Sequence, residues 1–246
     1  MAVAGVSPPN LVVARMTSFG LAPEPAGTSL ISAFTEALLS GDDSAPGAFV
    51  RAQLRVGVAP ETLLTEVFAA AARELGSRWE SDDCSFYEVT IASGHIQRLV
   101  RAISPLFLAN SAMYGSMGRM LLTCAPGEQH SLGTMVIAEH FIRDGWDVHL
   151  MTMYGTDILL DMVRKTDYNC LGVSVSCDQH VAGLGKDIRR VRQVSRNPDI
   201  RVLVGGQLFA VDCSKVHLLG ADGCAADAES AVAEARRLRG IDRVIG

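Results

Sequence analysis

Met120-Leu121-Leu122-Thr123-Cys124, followed by Glu128-Gln129-His130-Ser131-Leu132-Gly133, is the stretch on which the fold turns. A short apolar run reads as a strand, a polar loop follows it, and an amphipathic run over Ser131–Asp144 reads as a helix. The loop presents an imidazole with a carboxylate two residues before it. Proteins orient a histidine for metal ligation in this way, by giving its second ring nitrogen a partner. Taken alone, a histidine in a strand-to-helix loop is more often a cap or a surface residue, so its weight depends on the rest of the chain.

Downstream, strands and helices keep alternating. Arg119–Cys124, Asp147–Met151, Cys170–Ser176, Arg201–Val204 and the short Gly223–Ala225 read as strands. Between and after them, Ser131–Asp144, Thr156–Lys165, Val181–Arg196, Leu208–Leu219 and Glu229–Leu238 read as helices. Five strands separated by helices imply right-handed crossovers and a parallel sheet covered on both faces. The expected architecture is a flavodoxin-like, Rossmann-type α/β domain over residues 119–246. Its ligands bind beyond the carboxyl ends of the strands.

Upstream the pattern is helical throughout. Leu30–Leu39, Ala45–Val56, Pro60–Trp79 and Phe86–Ile103 predict a small antiparallel four-helix bundle over residues 29–109. Residues 1–28, with Pro8, Pro9, Pro23 and Pro25, are expected to form a flexible tail. Residues 110–118, rich in Ser, Gly and Met, are expected to be a linker.

Composition narrows the classes. A chain of 246 residues can bury a full core, and its net charge of −5 argues against gripping nucleic acid by itself. The basic clusters at Arg189, Arg190 and Arg192 and at Arg236, Arg237 and Arg239 fall in helices, where they read as solvated faces. Six cysteines show neither a C-x-x-C pair nor zinc spacing, so they read as small core residues and a disulfide framework is not expected. No apolar run is long enough to span a bilayer and no secretory leader is evident. The expected location is cytoplasmic, with no membrane partner.

Three loops converge at the strand ends. One carries Glu128, His130 and Gly133, a second follows Gly172-Val173-Ser174-Val175-Ser176, and a third is Gly205-Gly206 after Arg201-Val202-Leu203-Val204. A glycine pair at a strand end marks a sharp bend or the close approach of something bulky. Together they describe a groove with a metal-competent imidazole at its mouth and a narrow slot running inward.

This pattern of E-x-H-x-x-G, Ser-x-small and Gly-Gly resembles the cobalamin-binding domain, whose usual form is D-x-H-x-x-G, S-x-L and G-G. The helical segment resembles the bundle that caps the corrin in methionine synthase and in cobalamin photoreceptors. The resemblance implies that His130 is the lower axial ligand of cobalt, the only metal ligand supplied by the chain, and that Glu128 orients it. It also implies that Gly133 belongs to the same loop motif, and that Ser174, Ser176, Gly205 and Gly206 line a slot for the displaced nucleotide base. Trp79 would cover the corrin from the bundle. Two departures stand out: Glu128 replaces the usual Asp, and Ser176 replaces the usual Leu. A third lies in the bundle, where Val89-Thr90 occupies the place at which the light-sensing relatives carry a Glu-His pair. His95, further along that helix, matches no family position and reads as packing.

A bundle and cobalamin domain with neither a helix-turn-helix nor a catalytic module resembles the AerR/PpaA family of antirepressors. The segments Trp79-Glu80, Phe86-Tyr87-Glu88-Val89-Thr90-Ile91, Gln97-Arg98-Leu99 and Gly127 to Gly133 carry that likeness. It implies a non-enzymatic, light-responsive regulator that binds cobalamin in hydroxo or alkyl form. Its partner would be a photosynthesis-gene repressor of the CrtJ/PpsR type, with DNA reached only through that partner. Two alternatives stay open on the same scaffold: a haem-binding regulator and a corrinoid carrier subunit of a methyltransferase.

Overall fold

The computed structural model describes residues 27–108, 117–126, 128, 131–152, 155–176, 178–206, 208–209, 213–214 and 216–241. Most of the expected tail, most of the expected linker, and His130 lie outside the described residues.

The N-terminal region forms four helical elements: α1 (Thr28–Leu39), α2 (Ala45–Arg55), the composite α3, and α4 (Phe86–Phe107). The composite runs from Pro60–Thr62 through a π-helical stretch, Leu63–Phe68, into Ala69–Glu80. The wider π turn brings Leu63, Leu64, Val67 and Phe68 inward together, and all four are fully buried. Helix α4 starts on a reciprocal cap. Ser85 Oγ accepts from the Glu88 amide, and the Glu88 carboxylate accepts from the Ser85 amide at 2.7 Å. It runs past the expected end at Ile103 to Phe107, with Pro105 inside its last turn and Ile103 and Phe107 buried.

The second region is a five-stranded parallel sheet in the order β2-β1-β3-β4-β5. Its strands are β1 (Gly118–Cys124), β2 (Trp146–Met151), β3 (Cys170–Ser174), β4 (Arg201–Gly205) and β5 (Gly223–Ala225). The connecting helices are α5 (Leu132–Arg143), α6 (Thr156–Lys165), α7 (Val181–Val194) and α8 (Ala228–Leu238). The helical region followed by this sheet is the fold expected from the alternating pattern.

Two readings are corrected and a third is met in part. Strand β3 ends at Ser174 rather than Ser176, its last rung to β4 being the Val175 amide donating to the Gly205 carbonyl at 2.9 Å. Of the helix expected over Leu208–Leu219, Leu208 and Phe209 are helical and Val216–Leu219 form a 3-10 turn, while residues 210–212 and 215 lie outside the described residues. Finally, Cys213 and Cys224 are joined by a disulfide with Cα atoms 6.0 Å apart. Spacing alone did not reveal the pair because β5 folds back beside the segment after β4.

The bundle sits directly on α5. Leu132 and Val136 of α5 join the bundle core of Phe34, Leu64, Phe68, Ile96 and Val100. Lower down, Ser104 donates to Glu139 at 2.5 Å, and the Arg143 guanidinium lies 4.7 Å over the Phe107 ring while pairing with Glu61 at 2.8 Å. Helix α4 therefore runs parallel to α5, with its first turn toward the carboxyl ends of the strands. Among the described residues no helix is long and apolar enough to cross a membrane.

Candidate functional site

The register of the sheet sets the site. Side chains alternate across a strand, so Leu122, Gly172, Leu203 and Gly223 form one row on the face beneath α5 and α8. Cys124, Ser174, Gly205 and Ala225 form the next row, one step closer to the strand ends. The row nearer the strand ends carries little side-chain bulk, whereas Leu122 and Leu203 flank Gly172 in the row below. A cavity of about 30 Å³ lies there between α5 and α8, lined by Ser174, Gly205, Gly206, Thr134, Ile137 and Phe141, with Gly172, Ala225 and Ala231 among its further walls.

The glycines are required by contact as well as by conformation. Gly206 has φ +96°, and a Cβ there would lie 2.5 Å from the Val175 oxygen, 2.8 Å from its nitrogen and 3.0 Å from Ser174 Oγ. A Cβ on Gly205 would meet the Ala225 oxygen at 3.1 Å, and one on Gly172 would meet Leu122 Cδ2 at 2.5 Å.

The loop after β1 holds the acidic member of the motif. Glu128 is 3 % exposed. Its amide donates to the Ala125 carbonyl at 2.9 Å, and the Ala125 amide donates to the Ser174 carbonyl at 2.8 Å. These bonds tie the start of the loop to the end of β3. The Glu128 carboxylate accepts from the Ser176 amide at 3.1 Å, and His180 Nε2 lies 3.9 Å from the same oxygen. A buried carboxylate so held has a fixed direction, as an orienting partner for a histidine ligand must.

The expected residues thus fall into groups. Ser174, Gly205 and Gly206 meet at the slot. Ser176 does not line it, and instead offers its amide to Glu128. Gly133 sits in the first turn of α5, half-buried. Trp79 is half-buried in the last turn of α3, near a tight turn in which its carbonyl accepts from the Asp82 amide. In α4, Val89 is buried and Thr90 is exposed, its hydroxyl donating back to the Phe86 carbonyl at 2.8 Å. His95 is 6 % exposed, with Nε2 at 3.3 Å from Asp43 and Nδ1 at 2.8 Å from Arg98. It is a packed bundle histidine, as expected.

Sequence reasoning missed Thr134, Ile137, Phe141, Gly172 and Ala231 as slot walls, and His180 beside Glu128. A glycine inside β3 and the alanine spacing at 228, 231 and 235 in α8 were the available signals. Thr134 is held by Cys124, whose sulfur is 3.2 Å from its hydroxyl. Burial pushes the Cys124 thiol above its ordinary value, so it stays neutral there.

Comparison with known proteins meets this geometry directly. Residues 118–236 match the B12 binding domain, and residues 30–104 match a second family of the same description. The chain thus carries both B12 binding domains, one after the other. A relative from Rhodobacter capsulatus is described as an uncharacterized 20.5 kDa protein in the bchF-crtJ intergenic region. It is 28% identical over 162 residues, which cover 66% of this chain and 84% of the relative. Among solved structures, the Methanosarcina barkeri monomethylamine corrinoid protein has a TM-score of 0.70 at 15% identity, covering 85% of this chain and 96% of that one. That likeness shows the fold. A novel cobalamin-binding protein from Desulfitobacterium hafniense DCB-2 matches at a TM-score of 0.47 and 18% identity, covering 85% and 98%.

The slot suits the group that the family binds. Its walls are almost wholly apolar, with Leu122 Cδ2 lying over Gly172 and the Val175 backbone closing in on Gly206. Its volume is that of a seam, however, so seating a bicyclic base requires α5 and α8 to move apart.

Proposed function

We propose that this B12 binding domain protein holds cobalamin with the nucleotide base displaced from cobalt, and acts as a light-responsive, non-enzymatic antirepressor. His130 would take the lower axial position and Glu128 would fix its ring. Ser174, Gly205 and Gly206 would receive the nucleotide arm, with Gly133 starting the helix behind the loop. Trp79 would cover the corrin from the bundle. Bound cobalamin supplies an upper ligand that light or exchange can remove.

The observation that carries the ligand reading is the buried Glu128 carboxylate, held by the Ser176 amide, beside the apolar slot between α5 and α8. The chain's own residues do the remaining work. The Ser176 amide gives Glu128 one direction, the Gly206 backbone opens the mouth, and α5 carries the motif loop against the bundle.

The regulatory reading rests on the relative encoded between bchF and crtJ. It supports a partner of the CrtJ/PpsR repressor type, through which DNA would be influenced. The exposed Thr90 leaves the bundle without the Glu-His pair of light-sensing relatives, which favours a sensor whose upper face exchanges its ligand.

Titration of purified protein with hydroxocobalamin, followed by absorption, tests the ligand half. The expected result is uptake in wild type and a changed spectrum with at least tenfold weaker binding in His130→Ala. A Soret band on haem, with no corrin uptake, would favour the haem regulator instead. Repressor binding by apo, dark and illuminated protein tests the output half, and three equal affinities would overturn it. A second reading, a corrinoid carrier for a methyltransferase, is favoured by the fold shared with the monomethylamine corrinoid protein. Methyl transfer to a partner methyltransferase, with no repressor binding, would support it.

A further inference from the structure

The slot has a vertical order that the motif does not express. Its polar side chains all sit at the top. Ser174 is at the end of β3, Thr134 is in the first turn of α5, and Asp227 caps α8, where its carboxylate accepts from the Ser230 amide at 2.7 Å. One and two turns further down α5 come Ile137 and Phe141. One turn down α8 comes Ala231, and the sheet beneath contributes Leu122, Gly172 and Leu203. Thr123, Val173 and Val204 alternate to the other face, so they offer this space only backbone atoms, whose groups serve the strand ladders. The floor of the slot therefore has no side-chain donor or acceptor, while its mouth has three.

A ligand fragment matched to this order is polar at its entry and apolar at its tip. We infer that the slot selects corrinoids by their lower base, accepting an apolar benzimidazole and rejecting a purine. The inference rests on the cobalamin reading above and adds the ligand class that the site takes. A dimethylbenzimidazole on its ribose phosphate places methyl groups at the tip, against Leu122, Phe141 and Leu203. An adenine in the same place buries an exocyclic amine and ring nitrogens with nothing to meet them. Leaving even one such group unsatisfied weakens binding by about ten- to hundredfold.

The opposite order is expected of a protein that ignores the base. Adenine is a poorer donor to cobalt than benzimidazole, so displacing it costs less, and an indifferent slot would take the adeninyl corrinoid at least as well.

Equilibrium titrations of the full chain, read by corrin absorption, use three probes: hydroxocobalamin, its adeninyl analogue, and cobinamide, which has no nucleotide. The expected order is hydroxocobalamin tightest, with the adeninyl form and cobinamide each at least tenfold weaker. A variant, Ile137→Gln, puts a donor and an acceptor on the half-buried wall and is expected to narrow the gap between the two nucleotide-bearing probes. Ala231→Val, which thickens the opposite wall, is expected to weaken hydroxocobalamin and leave cobinamide unchanged. Equal affinity for all three probes would leave the cobalamin reading standing and overturn the slot as a base site. Hydroxocobalamin and the adeninyl form binding equally, with cobinamide weaker, would overturn the selectivity. Uptake of none of the three would overturn the cobalamin reading itself. The wild-type series decides these outcomes whether or not either variant folds.

Discussion

The two faces of the sheet are packed on opposite plans. Beneath α6 and α7, Leu121, Leu171, Val173, Val202 and Val204 meet Leu159, Val163, Leu184, Ile188 and Val191 in one continuous apolar layer. Beneath α5 and α8, the corresponding positions are Gly172, Ser174, Gly205 and Ala225, facing helices that offer Ala138, Ala231 and Ala235. Large side chains on that second face, Leu122, Leu203 and Phe141 with Met120 and Trp146, gather at the floor of the slot and below it. One face is filled by large apolar side chains, and the other is thin at the proposed ligand slot. The lesson is that stability and ligand access are separated across a single strand by its alternation.

That contrast can be broken most severely on the filled face. Ile188→Ala, at a site 1 % exposed, is expected to cost about 2–5 kcal/mol in urea unfolding, the usual range for such a cavity. Corrinoid affinity in the folded fraction should stay within twofold of wild type. A cost under about 1 kcal/mol would mean that this face is not the main source of stability.

Gly206→Ala acts on the thin face. Strain at φ +96° and the clash with Val175 are expected to cost about 1–3 kcal/mol. The same change should abolish tight uptake of hydroxocobalamin, a loss that Ile188→Ala does not produce. Unchanged uptake would show that the mouth of the slot lies elsewhere.

Ser85→Ala tests whether the bundle stands apart from both faces. Loss of the α4 cap is expected to cost about 1 kcal/mol. Thermal unfolding should register it.

The smallest effect concerns Glu139, on the bundle side of α5. Burial holds its carboxyl above the usual carboxylate value of 4.5, with the Ser104 hydrogen bond working against that shift. A carboxyl with a raised folded-state pKa stabilises the fold fully while protonated. That stability is lost as pH climbs from about 4.5 through the raised value. Glu139→Gln should therefore raise the melting temperature more at pH 7 than at pH 4. An equal shift at both pH values would count against ionised Glu139 as the source.

Much of this was legible in the chain. Thr156–Lys165 and Gly223–Ala225 have the bounds that their periodicity gave, and the other strands begin or end within two residues of expectation. Strong amphipathic periods survive folding because each element buries one face. What could not be read depended on contacts between distant segments. The π stretch at Leu63–Phe68 was hidden because Leu63, Leu64, Val67 and Phe68 share one face of an ordinary α-helix equally well. The Cys213–Cys224 pair depends on β5 returning beside β4. At the site, Ser174, Gly205 and Gly206 were found from their loops. Thr134, Ile137 and Phe141 were hidden because their helix pattern is the same whether it faces a filled core or a slot.

Helix α5 has a mechanical consequence. Val136 is rooted in the bundle core, and its neighbour Ile137 borders the slot. A base wedged between α5 and α8 pushes on a beam whose other side is clamped by Ser104, Phe107 and Glu61. Displacement at the wedge is thereby transmitted to the bundle through one rigid rod, with no mobile loop needed to carry it.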